Sequence, residues 1–286
     1  IFAGDIDNNW VSFAGYYWRI IRINGDGSVR MIYSGEDTGS VTEANRTGET
    51  TQIGTSAFNE EYNDNAYVGY MYGTPGSNTY EETHANINDS TIKTVLDNWY
   101  QQNLLSYSNY ISAEQGFYND RSLNTTDEIW WDSDTKLGYG IYVTAYAPFS
   151  RFMTQNNSYK NFQYPTLKSS QTNDYFTVNG SSRGNHDLDY PIGLITADEV
   201  VLAGGFVGRT NNNFYLVTNQ YYWTMTPLYI SLGGSYANGF NMWSGGAFSM
   251  TAVNGEWGIR PVVNLDASVT LTGSGTSTDP YTVEGA

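Results

Sequence analysis

Few side chains in this chain are suited to chemistry, and their spacing limits what they can do. There is no cysteine, which removes structural disulfides, thiolate metal sites and cysteine nucleophiles together. The only histidines are His84 and His186, and neither lies in an HExxH pattern or near the other. His84 stands just ahead of an expected helix and reads as a local hydrogen-bonding residue. His186 falls in the polar run Asn185-His186-Asp187-Leu188-Asp189. A glycosidase needs two carboxyl groups about 5 to 9 Å apart. Glu128, Asp132, Asp134, Asp198, Glu199 and Glu256 are available, yet no spacing singles out a pair. Asp198 and Glu199 are better explained as first-turn residues complementing a helix N-terminus. No catalytic residue is assigned, and the chain reads as a non-enzyme.

Among metals, calcium suits the Asp- and Asn-rich loops best. Asp5-Ile6-Asp7-Asn8-Asn9 opens like a calcium loop but fails at its sixth position, Trp10 in place of glycine, and at its twelfth, Tyr16 in place of glutamate. Asp132-Ser133-Asp134 and Asp187-Leu188-Asp189 are shorter still. Each reads as an Asx-rich turn, so no metal ligand is assigned and no cofactor is expected, calcium being the one candidate. Arg260, ahead of Pro261, is expected to form a structural ion pair or cap carbonyls.

What remains is aromatic. The chain has 8 Trp, 25 Tyr and 12 Phe, and residues 220–265 concentrate many of them among Gly, Ser and Asn. Tyr and Trp offer large contact area at low entropic cost, and the small polar residues offer adaptable hydrogen bonds. Tyr229, Tyr236, Asn238, Phe240, Asn241, Trp243 and Phe248 are the expected ligand contacts. Tyr222, Trp223 and Trp257 adjoin the most strand-like segments and are expected inside.

The elements that must position these residues can be read locally. Two β-branched runs, 17–23 and 28–33, flank Asn24-Gly25-Asp26-Gly27 and predict a hairpin. Residues 66–72 read as a strand. Ile92, Val95, Leu96 and Trp99 recur at helical spacing behind Asp89 or Ser90 as a cap, predicting a helix over about residues 90–105. Thr196-Ala197-Asp198-Glu199 is a capping box opening a short helix that stops at Gly204-Gly205. Residues 107–190 look insertion-like, 258–263 read as a buried strand, and 269–283 as two short strands around a turn. The first and last strands can pair and bring the ends together. The whole predicts an α+β fold, with residues 1–265 as one domain and 266–286 as a C-terminal hairpin or a linker to a further segment.

Composition excludes several partners. A formal charge of −16 argues against nucleic acid and against anionic lipid. No apolar run approaches 18 residues, so no membrane insertion is expected within this segment. Charged residues are 15%, against a usual value of about 25%, and a polar uncharged surface takes their place. The start at Ile1-Phe2-Ala3-Gly4 reads as a mature or excised portion of something longer.

The runs NWVSFAGYYWRIIRINGDGSVRMIY (9–33), NDSTIKTVLDNWY (88–100), YPIGLITADEVVLAGG (190–205), YYWTMTP (221–227) and GIRPVVNL (258–265) resemble bacterial surface proteins, mostly of Firmicutes, with a C-type lectin-like domain. Formylglycine-generating enzymes and retroelement-diversified variable proteins share that class. The tail GSGTSTDPYTV (273–283) is similar to short β-elements that join domains in Gram-positive exported proteins. The resemblance implies a C-type lectin-like fold with small antiparallel sheets, two helices and long loops. It implies an extracellular or cell-surface adhesion domain binding a host or bacterial surface protein or glycan through residues 228–257, the region that varies in diversified relatives. The cysteine pair of the formylglycine-generating branch is absent here, as are the Glu-Pro-Asn, Gln-Pro-Asp and Trp-Asn-Asp triplets of calcium-dependent sugar binding. The alternative is a structural subunit or tip of a pilus, surface layer or phage tail fibre, for which oligomerisation would be needed.

Overall fold

A computed structural model of the chain describes residues 1–124, 137–140, 144–154, 158–169, 171–230 and 236–286. They form a mixed α+β structure of two large sheets, two small ribbons and short helices. The first sheet grows from the expected hairpin, Tyr16–Ile23 against Val29–Glu36. At its turn the Asp26 carboxylate accepts from the Ser28 amide and hydroxyl, and Gly27 takes the left-handed φ of 91°. Trp10–Phe13 extends this sheet on one side and Val262–Leu265 on the other.

The C-terminal hairpin, Leu271–Thr272 with Tyr281–Val283, is continuous with the first sheet. Tyr281–Val283 pairs in parallel with Trp10–Phe13, and Val283 is buried. Asp7 ties the same ends together, its two oxygens accepting from the Trp10 indole, the Arg46 guanidinium and the Ser277 hydroxyl. Although partial burial opposes it, these bonds hold the Asp7 carboxyl down at about 2. The start of the failed calcium loop is therefore a clip between the chain ends.

The long helix runs over Thr91–Asn103, with the Ser90 hydroxyl accepting from the Lys93 amide as its cap. Ile92, Leu96 and Tyr100 recur every four residues and are buried. The short helix Ala197–Ala203 begins with the expected Thr196/Glu199 capping box and ends at Gly204. Residues 66–72 differ from the expected strand: Asn65–Val68 is a single 3₁₀ turn and only Met71–Tyr72 is extended. The Asp64 side chain accepts from the Ala66 amide, a local bond that favours the turn over a ladder.

The second sheet is centred on Tyr222–Ile230. Ala237–Met242 lies antiparallel on one side and Trp257–Gly258 parallel on the other, with Phe248–Ala252 and Thr55–Ser56 outermost. Pro227 sits in the central strand where the register shifts, which spares the ladder bond a proline cannot donate. Both sheets are covered on both faces along much of their length, so their strands are nearly uninterrupted in burial. No helix among the described residues is long and apolar enough to cross a membrane.

Candidate ligand-binding face of the second sheet

Cross-strand register decides which rings of residues 220–265 reach solvent. Met242 pairs with Phe248 and Phe240 with Met250, so Phe240, Met242 and Phe248 share one face of the sheet. That face is sealed: Phe240 and Phe248 stack with centroids 5.6 Å apart, and Phe152 packs its edge on Phe240. Both phenylalanines are fully buried, and the expectation that they contact a ligand is corrected.

Asn241 is corrected too. It lies opposite Trp223 in the ladder, fully buried, and its Oδ1 accepts from the Trp243 indole N–H at 2.9 Å. It holds a surface ring in place. Tyr222 and Trp223 are buried as expected, Tyr222 donating to the Leu216 carbonyl and Trp223 to that of Ser56.

The remaining predicted contacts divide between the two ends of Ala237–Met242. At one end Tyr236, 45% exposed, stacks on Tyr62 at 4.9 Å, with half-buried Tyr229 and Asn238 paired beside it. At the other end Trp243, 39% exposed, leans on Tyr221 at 5.9 Å, and Tyr221 stacks on Trp257 at 4.9 Å. A six-residue strand separates the groups by roughly 20 Å, so they cannot share one small ligand. Residues 231–235, within the expected binding region, lie outside the described residues.

The Tyr221, Trp243 and Trp257 end is the better-built surface. Both indole N–H groups are used inward, Trp243 on Asn241 and Trp257 on the Thr251 hydroxyl at 3.4 Å, leaving the ring faces for contact. Gly255 makes room: a Cβ there would fall 2.5 Å from Trp257 Nε1. Sequence reasoning placed Trp257 inside, whereas it is half-buried, and passed over Tyr221. Alternation held no signal for Tyr221, since Tyr222 and Trp223 behind it are both buried in a strand covered on both faces.

The titratable candidates are taken up by internal partners. His84 is buried, its Nδ1–H donating to the Tyr80 carbonyl at 2.8 Å and its Nε2 lying 3.1 Å from the Tyr146 hydroxyl, which itself donates to Asn65 Oδ1 at 2.6 Å. Burial, helped by the Arg121 charge, pushes the imidazole down to about 3, so it stays neutral. His186 is exposed in a left-handed turn. Glu199 is buried against Arg30 and Arg22 and caps its helix through the Thr196 amide. Asp198 pairs with Arg151, which also reaches Asp120. Arg260 caps the carbonyls of Tyr33 and Leu216, as its position suggested. Glu256 is exposed; Glu128, Asp132 and Asp134 lie outside the described residues.

Asp89, Asp97 and Asp189 bring carboxylate oxygens within 4.8 Å of one another, a grouping that could hold a cation. The Lys93 ammonium already stands among them, at 3.1, 2.7 and 2.8 Å. Burial, and then repulsion from Asp189 and Asp89, pushes the Asp97 carboxyl up to about 6 against the pull of Lys93. Asp187 accepts instead from the Asn86 carboxamide. Comparison of the chain with family models, curated proteins and solved structures finds no match in any of the three.

Proposed function

We propose that this chain is a non-enzymatic recognition domain of C-type lectin-like fold, displayed outside the cell, that binds a surface protein or glycan through the rim of its second sheet. The observation that carries the reading is the Tyr221, Trp243 and Trp257 cluster, three partly exposed rings of which the two indoles have their N–H groups tied to Asn241 and Thr251 in the strands beneath them. Rings fixed this way lose little entropy on binding and stack equally on the C–H face of a sugar or on protein side chains. The fold reading is supported by the motifs of residues 9–265 and by the pairing of both chain ends in one sheet.

The test is a glycan array together with pull-down from bacterial and host surface proteins, using the purified domain and two variants. Trp243→Ala is expected to abolish capture, and Tyr236→Ala, at the far end of the strand, to preserve it. Capture that survives Trp243→Ala with an unchanged ligand would remove the rim from the reading. An activity screen with added metal is expected to stay at background.

A further inference from the structure

Away from the rim, a cavity of about 410 Å³ lies between the amino-terminal hairpin, at the end opposite its turn, the long helix and residues 36–53. Its size falls in the usual range for small-ligand sites, roughly 300–1,000 Å³. One wall is aromatic. Tyr16 and Trp99 are half-buried and meet at 5.4 Å, and buried Tyr33 closes the wall behind them at 5.3 and 5.6 Å. The Tyr16 hydroxyl donates to Asn103 Oδ1 at 2.7 Å, so this residue offers the cavity its ring.

Glu36 is the one ionised side chain on the lining. It lies opposite Tyr16 in the ladder, which puts the two side chains on the same face of the sheet. Burial raises the Tyr16 and Tyr33 phenols above their ordinary value, and the Glu36 charge raises both further, which requires a carboxylate near both rings. That carboxylate is exposed and has no ion pair or side-chain hydrogen bond among the described residues. Arg46, next in sequence to the lining residue Asn45, is committed elsewhere, to Asp7 and the Trp10 ring. Asn45 is fully used as well: its Nδ2 donates to the Ser34 and Glu36 carbonyls, and its Oδ1 accepts from the Thr42 amide. The rest of the lining is neutral. The cavity thus sets one unpaired negative charge beside a wall of rings.

We propose that this cavity binds an alkylguanidinium, the head group of an arginine side chain, with its plane on the Tyr16 and Trp99 rings and its N–H fork on the Glu36 carboxylate. A guanidinium is flat, weakly hydrated and always charged, so it stacks on aromatic faces and pairs with a carboxylate through two parallel hydrogen bonds. A primary ammonium is a compact, strongly hydrated charge and gains less from a single carboxylate beside rings. A quaternary ammonium needs rings standing apart around it, whereas these three touch one another. An anionic ligand is disfavoured by Glu36 and by the net charge of −16, which draws cations toward the chain. This site is separate from the Trp243 rim and does not depend on it.

Saturation-transfer NMR on the whole chain tests it, at about 0.15 M salt to screen diffuse attraction. The probes are Nα-acetyl-arginine amide, its neutral isostere Nα-acetyl-citrulline amide, Nα-acetyl-lysine amide and free arginine. The arginine amide is expected to bind in the millimolar range, and the citrulline and lysine amides at least about tenfold more weakly. Free arginine binding more tightly than the amide would assign the free amino acid as ligand, and the reverse order an arginine within a polypeptide. Glu36→Gln is expected to weaken binding at least about tenfold with unchanged thermal unfolding. Ala44→Arg, at an exposed position on the lining, is expected to do the same by supplying a guanidinium from within. Glu81→Gln, an equal charge change at an exposed residue outside the lining, and Trp243→Ala are expected to leave the probe bound. The assignment is overturned if neither arginine probe binds, or if citrulline or lysine binds as tightly. It is overturned equally if binding survives Glu36→Gln or Ala44→Arg, or is lost with Glu81→Gln or Trp243→Ala.

Discussion

The interior where the two sheets meet and the rim of the second sheet use the same residue types to opposite ends. Inside, Phe240 is matched by Phe248 and Phe152, and Glu199 by Arg30 and Arg22. At the rim, Trp243 and Trp257 have their indole N–H groups bonded to Asn241 and Thr251, while the rings, packed about Tyr221, stay partly exposed. The Lys93 centre lies between these extremes, a buried ammonium facing three carboxylates, of which Asp89 and Asp189 are exposed. Exposure alone therefore does not mark the proposed recognition surface. What marks it is a ring whose hydrogen-bonding needs are already met and whose face is not.

The contrast is broken most severely from the inside. Phe240→Ala is expected to destabilise the fold by about 3–5 kcal/mol, read from urea denaturation, because a sealed sheet face cannot collapse onto the void. A loss under about 1 kcal/mol would mean Phe240 is not core. Glu199→Gln comes next, at about 3 kcal/mol, because it leaves fully buried Arg30 without its counter-charge. The figure sits at the low end for a broken buried pair. A cavity of about 20 Å³ beside Arg22, Arg30 and Arg151 can admit one water to rehydrate the guanidinium. If Glu199→Gln unfolds as wild type does, the network contributes only geometry.

Local chemistry made much of the frame legible. Asn24-Gly25-Asp26-Gly27, Ser90 and the Thr196/Glu199 box act within a few residues of themselves, and each forms the turn or cap it announces. The rim was legible only in part, because burial of Phe240, Asn241 and Phe248 depends on what covers the sheet from far along the chain. Nothing within 237–248 says that Phe152 will lie across Phe240. The parallel pairing of Trp10–Phe13 with Tyr281–Val283 joins the two extremes of the chain and leaves no local trace.

Acid titration sharpens the intermediate case. The Asp97 carboxyl sits at about 6 in the fold against an ordinary 3.8. Because the folded value is raised, its contribution to stability is full below about pH 4 and lost as pH rises through 6. His84 works the other way. Lowered to about 3 from an ordinary 6.5, it contributes above pH 6.5 and loses that contribution as pH falls toward 3. Asp97→Asn removes one of two opposing slopes. Relative to wild type it is expected to be more stable at pH 7 than at pH 4.5 by roughly 1–3 kcal/mol, measured by urea midpoints at both pH values. A difference that does not change with pH would show that Lys93 fully neutralises its neighbours.

The smallest effect on stability is expected where the effect on binding is largest. Trp243→Ala removes a ring that is already 39% exposed and carries one stacking neighbour, Tyr221. Its loss frees Asn241 Oδ1, which lay under the indole and becomes open to water, so no buried acceptor is stranded. The cost should be about 1 kcal/mol or less, seen as a shift of a few degrees in thermal unfolding. Capture of the surface ligand should fall to background in the same preparation. If unfolding shifts as far as it does for Phe240→Ala, then Trp243 belongs to the interior, and the distinction between matched edges and open faces does not hold at this rim.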